Sequence, residues 1–276
     1  KTLLTLAGMP LDEGKEPLEA SDPSPCPPRH AAPQASLSPV VPCDISGEQF
    51  WSEIHSRGLH ALLLERGGLM RVTDALPTEL VEGALQSLQC VSTNDWTLSS
   101  SATVDYGSNA GIKHLYHSYM GHGVDEVKQK LYTMAPDLFA GFQAARYEKS
   151  GLIAPHDDSQ IFQVQSHDEN RSQRFPAGTT VYRKIAVICY LTKEWREEYG
   201  GSFVDLHRQD APQALVPMFN SIVAFLVPRV HEVQELSQGC PSRLSIFGWF
   251  SDDVPYLPLS KHGPELSTMY ERNGCK

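Results

Sequence analysis

A short polar stretch, His156-Asp157-Asp158, follows the apolar residues 152–154 and carries three side chains that can bind a metal ion or move a proton. The chain has 11 histidines, so an H-x-D pattern arises easily by chance and is a weak signal by itself. It indicates a metal site only where a further ligand and a co-substrate anchor follow, on segments that could be neighbours in a sheet.

A third candidate ligand, His231, opens the stretch HEVQELSQGCPSRLSIFGWF, just downstream of the apolar run SIVAFLV. His156 and Asp158 have alternate-residue spacing, so both can project from one face of a strand or of its exit turn. Two imidazoles and one carboxylate are the ligand set of non-haem Fe(II) oxygenases, and a zinc site with bound water could use the same residues. Arg243 favours iron, because an arginine entering a barrel interior is costly unless it meets an anion, and its planar fork suits a carboxylate.

A competing metal-like sequence, His167-Asp168-Glu169, lies in the polar stretch SQIFQVQSHDENRSQRFPAG. It has no flanking strands, and we interpret it as a solvated loop. The whole stretch is long for a hairpin connection, and loops of this length are commonly functional lids or disordered. We expect residues 159–175 to close over a substrate.

The length, composition and charge of the chain limit the classes of protein to which it can belong. The chain has 276 residues, of which 41% are hydrophobic, enough for one large domain or two small ones. The sequence has no apolar run near the ~18–20 residues that span a bilayer, so we expect no membrane segment. A net charge of −10 argues against duplex nucleic acid as a partner.

The six cysteines form no C-x-x-C pair, and Cys189 lies in an apolar run, where a buried free thiol is expected. This use of cysteine favours a reducing compartment, the cytoplasm or nucleus.

The elements that must position these residues change type along the chain. Residues 1–45 are mostly Pro- and Ser-rich and are predicted to be a flexible leader. Three amphipathic helices are predicted next: SGEQFWSEIHSRG with a serine cap, LPTELVEGALQSLQ with Thr78 as cap, and GVDEVKQKLYTMAPDLF ended by Pro136. From Ala145 onward short β-like runs alternate with Gly, Pro and Asp. This order predicts an α+β fold whose core is an antiparallel sandwich or barrel.

From Tyr147 to Phe250 the chain resembles the Fe(II)- and 2-oxoglutarate-dependent prolyl hydroxylases, especially the hypoxia-type and ribosomal-protein enzymes. The matching stretches occur in the family's order and are HDD, RKIAVICYLTKEW, GGSFVDL, VPMFNSIVAFLV, HEVQEL and RLSIFGWF. The resemblance implies a double-stranded β-helix, or jelly roll, with flanking N-terminal helices. We therefore expect an oxygenase domain at 46–258, with helical support at about 46–144, a jelly-roll core at about 145–252, and a C-terminal tail at 259–276.

The resemblance also implies roles for individual residues. The iron ligands are expected to be His156, Asp158 and His231. The 2-oxoglutarate carboxylate far from the iron is expected to pair with Arg243 and to accept hydrogen bonds from Tyr190 and Ser245. Two aromatic residues are expected at the reacting end of the pocket, Tyr147 near the iron and Trp249 in the pocket wall.

The function implied is hydroxylation of a prolyl residue in a protein or peptide substrate, with Fe(II), 2-oxoglutarate, molecular oxygen and ascorbate. Two alternatives stay open: an oxygenase acting on a free amino acid or other small molecule, and a catalytically silent binding module with the same fold. The insert after Asp158 and the gap between His231 and Arg243 are both longer than in the hypoxia-type enzymes. Both departures concern the substrate more than the cofactors. We find no second oxygenase domain like that of the ribosomal-protein enzymes in this sequence.

Overall fold

The computed structural model describes residues 44–100, 113–165, 174–207 and 212–255. The predicted leader up to residue 43, the predicted tail and the sequence His167-Asp168-Glu169 lie outside these ranges. The helices within them are α1 (Gly47–Arg57), α2 (Leu59–Glu65), α3 (Thr78–Gln89) and α4 (Asp125–Tyr132), with 3-10 turns at Thr93–Asp95 and Glu197–Tyr199. In this part of the chain no helix is both long and apolar enough to cross a membrane.

The strands of the described ranges come mainly from the second half of the chain. They are β1 (Ile45–Ser46), β2 (Leu69–Thr73), β3 (Thr97–Ser100), β4 (His114–Tyr119), β5 (Phe139–Tyr147), β6 (Leu152–His156), β7 (Ile161–Gln163), β8 (Thr180–Tyr190), β9 (Phe203–Asp205), β10 (Gln213–Leu215), β11 (Ser221–Leu226), β12 (His231–Val233) and β13 (Arg243–Asp252).

The three predicted helices form as α1, α3 and α4, and local chemistry accounts for the starts of α1 and α3. Ser46 caps α1 by accepting a hydrogen bond from the Gln49 amide at 3.2 Å, which satisfies one of the free amides of the first turn. Thr78 was predicted to cap α3, and this is wrong: Thr78 is the first helical residue, and Pro77 precedes it without any side-chain cap. Proline suits that end because it has no amide hydrogen to leave unpaired.

The strands join into one curled sheet in the order β1-β2-β11-β8-β13-β5-β4-β6-β12-β9-β10, with β3 beside β4 and β7 beside β8. Nearly all pairs are antiparallel and most neighbours are distant in sequence; the short β1–β2 pair is parallel. This is the jelly-roll arrangement with a few flanking helices, and the predicted fold class is confirmed.

Side-chain alternation gives the sheet two apolar faces. In β8, Ile185, Val187 and Cys189 pack with the helices, whereas Ala186 and Tyr190 belong to a separate cluster inside the curl. Successive residues of a strand point to opposite faces, so a strand buried on both faces reads as a continuous apolar run. Cys189 is buried and free, as expected.

The sheet begins earlier than the expected boundary near residue 145. β2, β3, β4 and most of β5 lie within the segment expected to be helical support. β2 pairs with β11 from Leu69 to Val72, opposite Phe225 to Ile222, and so belongs to the same sheet as the core strands. Its register depends on a partner far along the chain, which explains why local patterns did not identify it.

The two ends of the long polar insert are attached to the domain. β7 pairs with β8, and Val164 and Phe175 are buried with Phe139 and Val181. Val164 therefore serves the domain's own packing rather than contact with a substrate, while Ile161 stays 58% exposed. Residues 166–173, the middle of the segment expected to close over a substrate, lie outside the described ranges.

Candidate active site

Three predicted metal ligands meet where β6 ends and β12 begins. His156 and His231 are opposite each other in this antiparallel ladder, and their ring centroids are 4.2 Å apart. The Asp158 carboxylate lies between them, with Oδ1 3.4 Å from His156 Nε2 and Oδ2 3.6 Å from His231 Nε2. One ligand atom from each residue lies within 4.8 Å of the others, so a single ion can be held by all three.

The turn after β6 brings Asp158 into this position. Its backbone has φ of +62°, the left-handed region that aspartate tolerates better than most residues. The preceding Asp157 stabilises the turn, since its Oδ1 accepts a hydrogen bond from the Ser159 amide at 2.9 Å. The two adjacent aspartates thus have different tasks: Asp157 fixes the turn and Asp158 faces the histidines.

Both imidazoles are oriented through their second nitrogen. His156 Nδ1–H donates to the Ala154 carbonyl at 2.9 Å, and His231 Nδ1–H donates to the Arg229 carbonyl at 2.8 Å. Because the Nδ1 atoms carry hydrogens, each Nε2 faces Asp158 and, in the neutral ring, is the nitrogen available to bind a metal ion. Metal-binding histidines almost always have such an outer hydrogen bond, which fixes both tautomer and ring orientation.

Burial and charge shift the protonation of the three groups. Burial lowers the pKa of His156, but the hydrogen bond and charge of Asp158 outweigh it and leave this pKa raised. Burial and the neighbouring His156 lower the pKa of His231 to about 4. Burial would raise the pKa of Asp158, yet the His156 hydrogen bond and the surrounding positive charges leave it lowered. Asp158 is therefore an anion at neutral pH, which is the form in which a carboxylate binds a metal ion.

Arg243, the predicted anchor, is 1% exposed at the start of β13. Its Nη1 donates to the Gly201 carbonyl, and its guanidinium lies 4.0 Å from the centre of the Tyr147 ring. Within the described ranges no carboxylate pairs with this charge, and its Nε has no hydrogen-bond partner. A buried charge without an opposite charge is costly, so this arrangement fits a residue that awaits an anionic ligand.

The other predicted residues lie around Arg243 through strand register. Tyr147 of β5 is opposite Arg243, and Tyr190 of β8 is opposite Ser245. Tyr147, Ser245 and Trp249 line one cavity with the three candidate metal ligands and Arg243. Tyr190 is not part of that lining; its ring centre is 5.5 Å from the Arg243 guanidinium, and its buried hydroxyl has no hydrogen-bond partner. Burial raises the pKa of both tyrosines, so their hydroxyls stay neutral.

Sequence reasoning missed three aromatic or charged neighbours of the site. Phe247 lines the cavity between Ser245 and Trp249, and the alternation of β13 would have identified it. Tyr116 of β4 stacks on Tyr147 at 5.3 Å, a contact that depends on distant strand pairing. Arg183 lies over the Trp249 ring at 3.5 Å, and its Nη1 is 4.0 Å from Asp158 Oδ1.

Arg183 could not be identified by alternation. The pairing of β8 with β13 shifts by one residue between Phe250 and Ser251, so the regular two-residue period is interrupted at Arg183. A β-bulge of this kind redirects a side chain without any signal in the local sequence.

These residues fit Fe(II) and 2-oxoglutarate. A mixed nitrogen and oxygen set that holds one face of the ion suits Fe(II) and leaves positions free for a co-substrate. The unpaired Arg243 charge and the unpartnered Tyr190 hydroxyl suit the far carboxylate of a dicarboxylic acid.

Comparison with known proteins agrees with this geometry. Residues 142–251 match the family described as the 2OG-Fe(II) oxygenase superfamily. Among solved structures, a prolyl hydroxylase from Trichoplax adhaerens, in complex with a hypoxia inducible factor oxygen degradation domain peptide fragment, has a TM-score of 0.52 and 14% identity. That likeness covers 75% of this chain and 93% of the other, and at this identity it shows the fold.

Two curated relatives are similar in sequence. Prolyl 3-hydroxylase OGFOD1 of Xenopus laevis is 41% identical over 76 residues, which are 25% of this chain and 15% of that protein. Prolyl 3-hydroxylase OGFOD1 of Mus musculus is 40% identical over 100 residues, 30% of this chain and 18% of that protein. The chain thus spans less than a fifth of the length of these relatives. Residues 142–251 are a 2OG-Fe(II) oxygenase domain, and the cofactors of that family are Fe(II) and 2-oxoglutarate.

Proposed function

We propose that this chain hydroxylates a prolyl residue in a protein or peptide, using Fe(II), 2-oxoglutarate and molecular oxygen. The observation that carries the proposal is the meeting, in one cavity, of the group His156, Asp158 and His231 with the unpaired charge of Arg243. A catalytically silent module would not need to keep both a complete metal-ligand set and a buried arginine without a counter-charge.

The residues divide the work of binding. The two histidines and Asp158 would hold the iron, while Arg243, Tyr190 and Ser245 would bind the far carboxylate of 2-oxoglutarate. Together the iron and co-substrate supply an oxidation in which 2-oxoglutarate and oxygen yield succinate, carbon dioxide and one oxygen atom inserted into a substrate C–H bond. The protein contributes positioning and exclusion of water.

The walls of the cavity favour a compact apolar group as substrate. Aromatic side chains line it at Tyr147, Phe247 and Trp249, and aliphatic ones at Ile153 and Val233. A proline ring is compact and has little to hydrogen-bond, so such walls can hold it close to the iron. The relatives named above, which are called prolyl hydroxylases, support this choice of substrate.

The substrate is tested by incubating the chain with Fe(II), ascorbate, 2-oxoglutarate and oxygen, with either a library of proline-containing peptides or free proline. We expect a gain of one oxygen on peptide proline, matched by succinate, and none with the Asp158→Asn protein. The oxygen should carry isotope from labelled O2. Turnover of free proline alone, or of another metabolite with no peptide modified, would contradict the prolyl-peptide proposal and favour a small-molecule oxygenase.

A further inference from the structure

A buried ion pair lies next to the metal-ligand group but does not line its cavity. Arg229 and Asp205 form two parallel hydrogen bonds, Nε to Oδ1 at 2.9 Å and Nη2 to Oδ2 at 2.7 Å. Their side chains are 10% and 7% exposed. The third nitrogen, Arg229 Nη1, donates to the Gly67 carbonyl at 3.0 Å, so the guanidinium is held on two sides.

The backbone of Arg229 contacts both segments that carry the ligands. Its carbonyl accepts the hydrogen bond from His231 Nδ1–H at 2.8 Å, and its amide donates to the Asp157 carbonyl at 3.2 Å. One residue therefore links the ring of one histidine ligand to the turn that presents Asp158.

Asp205 contributes from the other side of His231. It lies opposite His231 in the β9–β12 ladder, and its Oδ1 also accepts a hydrogen bond from the His207 amide at 3.2 Å. The ring of His231 packs between Phe203 and Phe225, at centroid distances of 4.9 and 4.6 Å. The ladder therefore fixes the backbone of this ligand and the aromatic rings fix its side chain, whereas the ion pair fixes the acceptor of its Nδ1 hydrogen.

We propose that Arg229 and Asp205 are positioning residues that preorganise the iron ligands, and that this, rather than stability, is what the buried pair provides. A buried ion pair seldom stabilises a fold more than apolar residues of the same size would, so its presence calls for another explanation. Fixing Arg229 by three charge-assisted hydrogen bonds holds its carbonyl and amide where both ligand segments need them. The inference rests on the proposed iron site.

The test replaces the pair by apolar residues of similar size, Arg229→Met with Asp205→Leu, and titrates the metal-free protein with Co(II) without co-substrate. We expect Co(II) to bind roughly 10- to 100-fold more weakly, the range typical of lost outer-shell contacts, with a changed visible absorption spectrum. We also expect the urea unfolding midpoint to stay level or rise. Wild-type affinity and spectrum in the double variant would overturn the inference.

A matched control is available at the start of the sheet. Arg71 and Asp44 also form a two-bond pair, with distances of 3.1 and 2.7 Å, and neither contacts the ligand segments. Arg71→Met with Asp44→Leu should leave the Co(II) affinity unchanged. An equal loss in this control would show a general effect of removing an ion pair and would also overturn the inference.

Two further results separate the possible failures. If the double variant does not fold, Arg229→Lys serves in its place. Lysine keeps the positive charge, but its single ammonium cannot make both hydrogen bonds to Asp205 and the third to the Gly67 carbonyl. We therefore expect weaker Co(II) binding, and unchanged binding contradicts the inference. If the wild-type protein binds no Co(II) or Fe(II), the iron site itself is wrong. Tight wild-type binding with an unaffected variant refutes only the positioning role.

Discussion

His156 and His231 lie directly opposite each other across β6 and β12, with ring centroids 4.2 Å apart. Neither strand is long, and the ladder shifts register just after this pair, between His231 and Val233. The left-handed residue Asp158 then returns its carboxylate to the space beside both rings. A strand end, a turn and one cross-strand pair are sufficient to build the ligand set.

Replacing Asp158 by asparagine should remove metal binding while keeping the turn, because asparagine also tolerates positive φ. We expect turnover to be lost and Fe(II) affinity to fall by more than about 100-fold, beyond the effect of outer-shell changes. Metal content and Co(II) titration measure this directly. Asp157→Asn is the control, since it keeps the Oδ1 acceptor for Ser159 and should bind metal normally.

The opposite pattern would change the assignment. If Asp157→Asn lost the metal and Asp158→Asn kept it, the two aspartates would have exchanged roles. If both variants kept full metal content and activity, the ligand set proposed here would be wrong.

Local patterns in the sequence were sufficient for some parts of the site. The spacing of His156 and Asp158 and the entry of Arg243 into an apolar strand made these three residues candidates from chemistry alone, and the structure places them around one cavity. Their meeting with His231 depends on the pairing of β6 with β12, and the sequence contains no local signal for pairing between distant strands. The position of His231 just downstream of an apolar run made it a candidate ligand, and the resemblance to a known family then assigned it to the same ligand set.

Other parts could not be predicted for identifiable physical reasons. Arg183 reaches Asp158 through a register shift, which interrupts the period on which strand patterns depend. The link from Arg229 to Asp205 joins two separate segments by side chains that, from sequence, would be assigned to the surface. Such contacts become visible only when the topology is known.

Replacing Arg243 by lysine should weaken co-substrate binding without affecting iron. A single ammonium cannot reproduce two parallel bonds to a carboxylate, nor can it stack on Tyr147 as the planar guanidinium does. Losing one charge-assisted hydrogen bond of about 1.5–3 kcal/mol should raise the KM for 2-oxoglutarate roughly 10- to 100-fold. Steady-state kinetics measure KM, and Co(II) titration verifies the metal site.

Arg174→Lys is the control for that experiment, because Arg174 is exposed and pairs with Asp252 on the surface. Its KM should match the wild type. An unchanged KM in Arg243→Lys would mean that the far carboxylate binds elsewhere in the cavity.

Asn220 should be a stability residue rather than a site residue. It is 2% exposed with φ of +56°, and its side chain bonds both to the Leu76 amide at 3.0 Å and to the Leu76 carbonyl at 2.8 Å. Asn220→Gly keeps the backbone conformation and loses only these bonds, so the free energy of unfolding should fall by about 1–3 kcal/mol. Asn220→Ala should cost about 1 kcal/mol more, because alanine disfavours positive φ.

Urea denaturation of both variants measures the two contributions separately. Glu194→Gly is the control, since Glu194 also has positive φ, at +54°, but an exposed side chain, and glycine there should be neutral or slightly stabilising. Equal losses for Asn220→Gly and Glu194→Gly would refute the importance of the two Leu76 bonds.

The last prediction concerns Gly201, whose carbonyl accepts the hydrogen bond from Arg243. Its φ is +67°, and a Cβ at this position would lie 2.8 Å from Leu236 Cδ1 and 3.4 Å from Arg243 Cδ. Gly201→Ala therefore combines an unfavourable backbone conformation with pressure on a buried leucine and on the stem of the anchoring arginine. We expect a loss of stability of about 1–2 kcal/mol from the backbone alone, and a raised KM for 2-oxoglutarate from displacement of Arg243.

Gly178 separates these two effects, because it has φ of +89° but open space where a Cβ would lie. Gly178→Ala should lose stability because of its left-handed backbone, as Gly201→Ala does, but its KM for 2-oxoglutarate should be unchanged. If Gly201→Ala also kept the wild-type KM, its carbonyl would not determine the position of Arg243, and the anchor would be held by Tyr147 stacking and the strand alone. If both variants raised the KM for 2-oxoglutarate equally, the effect would come from general destabilisation. The difference in KM between Gly201→Ala and Gly178→Ala therefore tests whether the backbone at Gly201 positions the co-substrate anchor.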